Sequence, residues 1–416
     1  MTLLQITSLL IALAGVFGAI NYLLLRLPSS IGIFIVSLMA SLTILLLDRL
    51  MPGLGMADQV RSIVGKIEFS DALLEGMLGL LLFAGALHVR LGALKREWTI
   101  IALMATLGVA LSTAVAGLGF AWIMGMPLIV GLVFGALISP TDPVAVLGVL
   151  RDADLPQTLE TKIAGESLFN DGVGYVVYLI LVGVAFTGSG AGQEDVWTRA
   201  LRLFVQEAFG GALLGLVLGW LTFRLMRRID DYSLEVLLTL ALAFGGYELA
   251  VALHVSAPIM AVCAGLLIGD IGTRHGMSEE TRKYVEAFWK LIDEILNAVL
   301  FMMIGFEVFA IALSMDAVLA GAIAVPLALA ARFAAVVVPV SILRPFRDFD
   351  SGVVRIMTWG GLKGGISVAL ALSLPSSDWT PLMLTATYAV VVFSIIVQGL
   401  TVAPLARRLS SGGGPG

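Results

Sequence analysis

The chain predicts an all-α, polytopic membrane protein of about thirteen spans, and three features carry that prediction. Apolar runs of roughly 20 residues, long enough to cross a bilayer as a helix, recur along its length. Charged residues make up 13% of the 416 and hydrophobic ones 59%, with a mean hydropathy of +1.01, whereas soluble domains carry about 25% charge. Two of the runs, the fifth and the twelfth, are interrupted by proline or glycine, which predicts an inverted repeat with two broken, crossing helices. A membrane barrel would show short alternating strands instead.

The spans fall near 3–25, 30–47, 70–88, 98–122, 127–150, 158–187, 198–226, 232–252, 256–270, 286–313, 315–343, 352–373 and 380–406. Residues 3–25 lack a basic front and a small-residue cleavage site, so they read as the first span and not as a signal peptide. The segment 51–69 is longer and more polar than the other connections and reads as an amphipathic piece at the outer surface. Residues 187–195 read as an outer loop and 410–416 as a flexible tail. The single Cys263 excludes an internal disulfide and reads as a buried packing residue.

Lys and Arg set the orientation. Loops on one side, counted with the C-terminus, hold 17 of the 25 basic residues and loops on the other side hold 5. The remaining three, Lys290, Arg332 and Lys363, fall within spans. This bias places the N-terminus outside and the C-terminus in the cytoplasm, and it supports the number of spans, since one missed helix would scramble it. The net charge of −5 says little about partners. Nothing points to nucleic acid.

The fifth span contains Pro140 and Pro143 around Thr141-Asp142. Proline removes a backbone donor and keeps its predecessor out of helical angles, so the helix unwinds near 139–143. The twelfth contains Gly360-Gly361-Leu362-Lys363-Gly364-Gly365, and paired glycines loosen a helix. The two are seven spans apart, an odd number, so they run in opposite directions, as an inverted repeat requires. The competing reading is that the glycines serve tight helix packing. Irregular backbone at membrane depth survives where it lines a cavity or packs against protein.

Polar residues gather at and beside these breaks. Asp142 lies near the middle of the fifth span. On the sixth, Glu166 and Asn170 share one face, as do Ser167 and Asp171, each pair four residues apart. Intramembrane carboxylates read by default as an ion or proton path. Carboxylates with the Thr141 and Ser167 hydroxyls, the Asn170 amide and freed carbonyls form an oxygen-rich cage suited to a hard cation. Arg332, inside the apolar run 328–335, needs a partner at that depth, and Glu166 is the candidate; the competing reading is that the pair is purely structural. Lys363 compensates charge or helix-end dipoles at the twelfth break, or serves packing alone. Glu248, Asp293, Glu294 and Glu307 are semi-buried acids that could rim an access path. His88 and His254 fall near span ends, as do Trp122, Trp197, Trp359 and Trp379. No phosphate loop, dinucleotide fingerprint, zinc spacing or serine triad is present, and the chain reads as a transporter without a cofactor and not as an enzyme.

The motifs Ser-Pro-Thr-Asp-Pro (139–143), Gly-Glu-Ser-Leu-Phe-Asn-Asp-Gly (165–172), Ala-Arg-Phe (331–333) and Gly-Gly-Leu-Lys-Gly-Gly-Ile-Ser (360–367) together resemble the NhaP/NHE-type sodium–proton antiporters, in order and over nearly the whole chain. The resemblance implies a homodimer in a prokaryotic plasma (inner) membrane, in contact with its lipids, with monovalent cations and protons as substrates. It implies scaffold helices at 1–92 and 191–313 and a transport core at 93–190 and 314–409, sliding against each other. It makes Asp171 the group that proton and cation share, with Thr141, Asp142, Glu166 and Ser167 around it. Asn170 stands where electrogenic relatives carry a second Asp, which implies electroneutral exchange. Arg332 matches the partner of that glutamate, and Lys363 stands where animal exchangers often have Arg. The long regulatory tail of the animal exchangers has no match. The transported ion is expected to be Na+ or Li+, with K+ as the alternative within the same class. A cation channel would need an open pore with many weak sites, and a sodium-coupled symporter a pocket for an organic substrate.

Overall fold

The computed structural model describes residues 2–51, 55–64, 72–142, 146, 157–186, 196–311, 314–349 and 352–411. Every regular element among them is a helix. Among the described residues 9 helices can cross a membrane by length and composition, and Leu78–Leu87 and Leu128–Leu137 are shorter apolar helices. Helices stand at the expected spans, whose ordinal numbers are kept below. The tenth, Glu279–Phe306, carries charge along its first half and buries its second.

Local chemistry sets where the helices begin. Asp231 Oδ1 accepts from the Leu234 amide at 2.9 Å at the start of the eighth span. Ser278 and Thr281 form a capping box at the start of the tenth, and Ser314 Oγ accepts from the Ala317 amide at 3.2 Å to open the eleventh. Each satisfies amides that the first helical turn leaves unpaired. Between the second and third spans, Met56–Val64 is a short helix with polar and apolar faces, while 65–71 lie outside the described residues. Cys263 is half-buried and not fully enclosed as the sequence suggested, and it packs against the seventh span at Gly215.

Packing falls into two groups. The fourth span (Leu91–Met124) packs on the first half of the fifth and on the eleventh (Met315–Leu343), which in turn packs on the thirteenth (Thr380–Leu409); the sixth (Gln157–Phe186) joins them. The second packs on the tenth, and the ninth (Ala257–His275) on the third, seventh and eighth.

Both expected interruptions are present. The fifth span is helical over Leu128–Leu137 and irregular from Ile138 to Asp142; Pro143 and residues 147–150 lie outside the described residues. The twelfth is helical over Val353–Trp359 and again over Gly365–Leu372, with an irregular stretch between. The two breaks touch: the Asp142 amide donates to the Leu362 carbonyl at 2.8 Å. In the thirteenth span the residues Ser394–Gln398 form a π turn, a local widening that often marks functional positions. Here it turns Ser394 and Gln398 toward the twelfth span's break, where the Ser394 hydroxyl and the Gln398 amide are both engaged.

Candidate functional site

The irregular stretch at the fifth span and the middle of the sixth lock together through Thr141 and Asn170. The Thr141 amide donates to Asn170 Oδ1 at 3.3 Å, and Asn170 Nδ2 donates back to Thr141 Oγ1 at 2.8 Å. Thr141 Oγ1 also lies 3.0 Å from Ser167 Oγ. Thr141, Ser167, Asn170 and Asp171 are all buried. Asn170 thus holds the unwound backbone in place, while Asp171, about 100° further round the helix, presents a carboxylate. One of its oxygens, Oδ1, is buried with no hydrogen-bond partner among the described residues. The charges acting on it come from Asp142, Lys363 and Glu166.

Lys363 closes the other side. Its Nζ donates to the carbonyl of Ser139 at 2.9 Å and to that of Pro140 at 3.1 Å. Those carbonyls lie at the C-terminal end of the fifth span's first half, where the helix dipole is negative and the acceptors have no helical partner. The Lys363 amide donates to Ser394 Oγ at 2.8 Å, and Gln398 Nε2 donates to the Trp359 carbonyl, the last of its half-helix, at 2.9 Å. Sequence reasoning missed Ser394 and Gln398. The signal was two polar residues four apart in the apolar run of the thirteenth span.

Arg332 reaches Glu166 in a fork. Nη1 pairs with Oε1, and Nη2 donates to Oε2 at 2.8 Å. Arg332 Nε and Nη2 also donate to the Met357 carbonyl at 3.1 and 2.9 Å. Both oxygens of Glu166 are therefore engaged by Arg332, the partner that the sequence suggested for it. Among the described residues no three acidic, His or Cys side chains converge as a metal site.

The glycines of the twelfth span supply room as well as a break. A Cβ on Gly361 would land on the Arg332 guanidinium, and one on Gly364 on the Asp142 carboxylate. The competing reading, close packing, therefore holds alongside the unwinding and does not replace it.

A cavity of about 870 Å³ connects the site to one face of the molecule. It runs from the exposed Arg90, Lys290 and Glu294 to Thr141, Asp142 and Asp171. Asp293 and His88 also line it, the ring Nδ1 of His88 lying 2.7 Å from the Ala84 carbonyl. Glu248 and His254 are exposed and do not line it, and Glu307 is buried beyond its end.

Comparison with known proteins gives one consistent picture. A family model described as "Sodium/hydrogen exchanger, transmembrane" matches residues 7–408. The Na+/H+ antiporter NhaP of Pseudomonas aeruginosa is 45% identical over 421 residues, covering 99% of this chain and 98% of that one. The Na+/H+ antiporter NhaH of Halobacillus dabanensis is 35% identical over 388 residues, 93% of each chain. The solved structure of the sodium proton antiporter MjNhaP1 from Methanocaldococcus jannaschii superposes with a TM-score of 0.75 at 19% identity, covering 98% of this chain and 99% of that one.

Proposed function

The chain belongs to the sodium/hydrogen exchanger family, and from that premise we propose that it is a secondary Na+/H+ antiporter in which Na+ or Li+ and H+ compete for Asp171. The observation that carries the reading is the unpartnered Asp171 oxygen, buried at the head of the cavity where two broken helices touch. A buried carboxylate oxygen left without a partner is costly, so the site is built to be completed by something that arrives.

Formal charge supplies the coupling. The site joins three carboxylates (Asp142, Glu166, Asp171) to two cations (Arg332, Lys363), which leaves one negative charge when it is empty. One H+ or one Na+ brings it to zero. A neutral cluster moves through low dielectric at far lower cost than a charged one, so the loaded forms cross and the empty form stays. Movement only when loaded gives exchange and prevents leak, and one positive charge in each direction makes the exchange electroneutral. Thr141 and Ser167 hydroxyls, with the freed carbonyls of the fifth span, would share the cation with Asp171. Glu166 and Arg332 hold the core together, and Lys363 offsets charge at the crossing.

In the same reading the spans four to six and eleven to thirteen, residues 93–190 and 314–409, move as a core against a scaffold of 1–92 and 191–313, in a homodimer. The cavity faces the cytoplasm, since it opens beside Arg26 and Arg90 on the side richer in basic loops. The membrane is a prokaryotic plasma membrane.

The test is proteoliposomes loaded with a pH-sensitive dye and pulsed with Li+, Na+, K+ or Rb+. Rapid dequenching with Na+ and Li+, abolished in Asp171→Asn, is expected. Exchange surviving in Asp171→Asn would remove the assignment, and a response to K+ alone would change the substrate.

A further inference from the structure

On the tenth span Asp293, Asn297, Leu300, Ile304 and Glu307 recur at steps of four and three, so they share one helix face. The first three line the cavity. Leu300 packs against Gly365, at the start of the twelfth span's second half, and Ile304 is fully buried behind it. The face then turns polar again at Glu307, ten residues past Asn297 and therefore about 15 Å further along the helix. The stripe passes from an open path, through an apolar plug where scaffold meets core, to a second acid on the closed side.

Glu307 is 5% exposed, and no hydrogen bond or ion pair holds it among the described residues. On that side the Arg61 guanidinium donates to the Phe309 carbonyl at 3.1 Å and pairs with Asp58 at 3.6 Å. Across the interface stands Tyr388 of the thirteenth span, 6% exposed, its hydroxyl also without a hydrogen-bond partner. The two groups interact electrostatically. Each belongs to a different packing group, one to the helices around the second and tenth spans and one to those around the eleventh. A buried hydroxyl without a partner costs about 1–3 kcal/mol, and a face that stays closed would lose nothing by having apolar residues at 307 and 388.

We infer that Glu307 is a second cation-binding group, which lines the access path on the face opposite the cavity when the Asp171 site turns that way, with the Tyr388 hydroxyl as a further ligand. The ligand is a monovalent metal cation, offered one carboxylate and one phenol oxygen in partly hydrated surroundings. Opening separates the two packing groups at this level, hydrates both side chains and ends the unpaired burial of the Tyr388 hydroxyl. Glu307 then concentrates the cation on that face, as Asp293 and Glu294 at the mouth of the cavity do on the other. The inference rests on the antiport reading above.

The experiment compares right-side-out and everted membrane vesicles carrying the wild type or Glu307→Gln. Expected is a rise of roughly three- to tenfold in half-saturating Na+ at the face opposite the cavity, the size of one partly screened charge. At the cavity face the change stays under about twofold. A second measurement uses Glu307→Cys in a Cys263→Ala background. An impermeant thiol reagent should label it from the face opposite the cavity, and Na+ on that face should slow the labelling. Equal half-saturating Na+ on both faces together with no labelling from that face would overturn the role of Glu307 while leaving antiport intact. A wild type that fails to exchange Na+ for H+ in these vesicles would overturn the antiport reading itself, and the inference with it.

Discussion

The Lys363 ammonium donates at 2.9 Å to the carbonyl of Ser139, tying the break of the twelfth span to the break of the fifth. A second bond runs to the Pro140 carbonyl at 3.1 Å. Both acceptors lie where the chain has left its helix, and the ammonium is 4% exposed as a residue. Lys363→Met keeps the volume and removes the donors, so two buried carbonyls lose their partner, at about 1–3 kcal/mol each. The variant should unfold at lower temperature in detergent, followed by tryptophan fluorescence. Lys363→Arg, which keeps charge and donors, should unfold closer to the wild type. Equal unfolding midpoints for wild type and Lys363→Met would show that the two bonds carry no weight.

Arg332 and Glu166 lend themselves to a double-mutant cycle. Removing one partner of a buried pair leaves an uncompensated charge, at about 3–5 kcal/mol, whereas replacing both with apolar groups is often close to neutral. Arg332→Met should therefore be markedly destabilised, and Arg332→Met with Glu166→Met should recover much of the loss. Recovery is read from the same unfolding midpoint. Additive losses would mean that the fork is not the interaction that matters.

The sequence made the membrane class, the spans and both breaks legible because each has a one-dimensional signal: run length, basic-loop bias, and proline or glycine inside an apolar run. Asn170 and Asp171 were visible for the same reason, as polar residues where hydrocarbon should be. The pairing of Glu166 with Arg332 was legible as well, because a lone arginine at that depth demands a carboxylate, and the fork between them is present. The reach of that fork was not legible: it occupies both oxygens of Glu166 while one oxygen of Asp171, five residues further along the same helix, stays open. Ser394 and Gln398 were hidden because a π turn in the thirteenth span aims them, and no residue type encodes that turn. The glycines at 361 and 364 were read for backbone freedom, but the side chains they make room for belong to other spans.

Substituting those glycines separates space from flexibility. Gly361→Ala would drive a methyl into the Arg332 guanidinium and Gly364→Ala one into the Asp142 carboxylate. Overpacking of this kind costs about 1–3 kcal/mol. Gly15 and Gly183 meet nothing within 4 Å and lie inside helices, where alanine is favoured over glycine by about 0.5–1 kcal/mol. Gly15→Ala and Gly183→Ala should therefore hold or raise the unfolding midpoint, while Gly361→Ala and Gly364→Ala lower it and slow exchange. A tolerated Gly361→Ala with full exchange would mean that Arg332 has a second position open to it.

The charge count at the site makes the last prediction electrical. With three carboxylates against two cations, one positive ion neutralises the cluster whichever ion it is, so no net charge crosses in either direction. A potential of 100 mV acts on one transferred charge with about 2.3 kcal/mol, equivalent to about a fiftyfold change in the equilibrium gradient. Clamping proteoliposomes at about 100 mV of either sign with a potassium ionophore should leave the steady Na+ gradient reached against a fixed pH gradient unchanged. Asn170→Asp adds a fourth carboxylate and, when ionised, loses the donor that Nδ2 supplies to Thr141 Oγ1 at 2.8 Å. That variant should exchange more slowly, and any exchange it retains should respond to the clamp. A wild type whose gradient follows the imposed potential would show that more than one charge loads per cycle, and the charge balance around Asp171 would then have to include a further group.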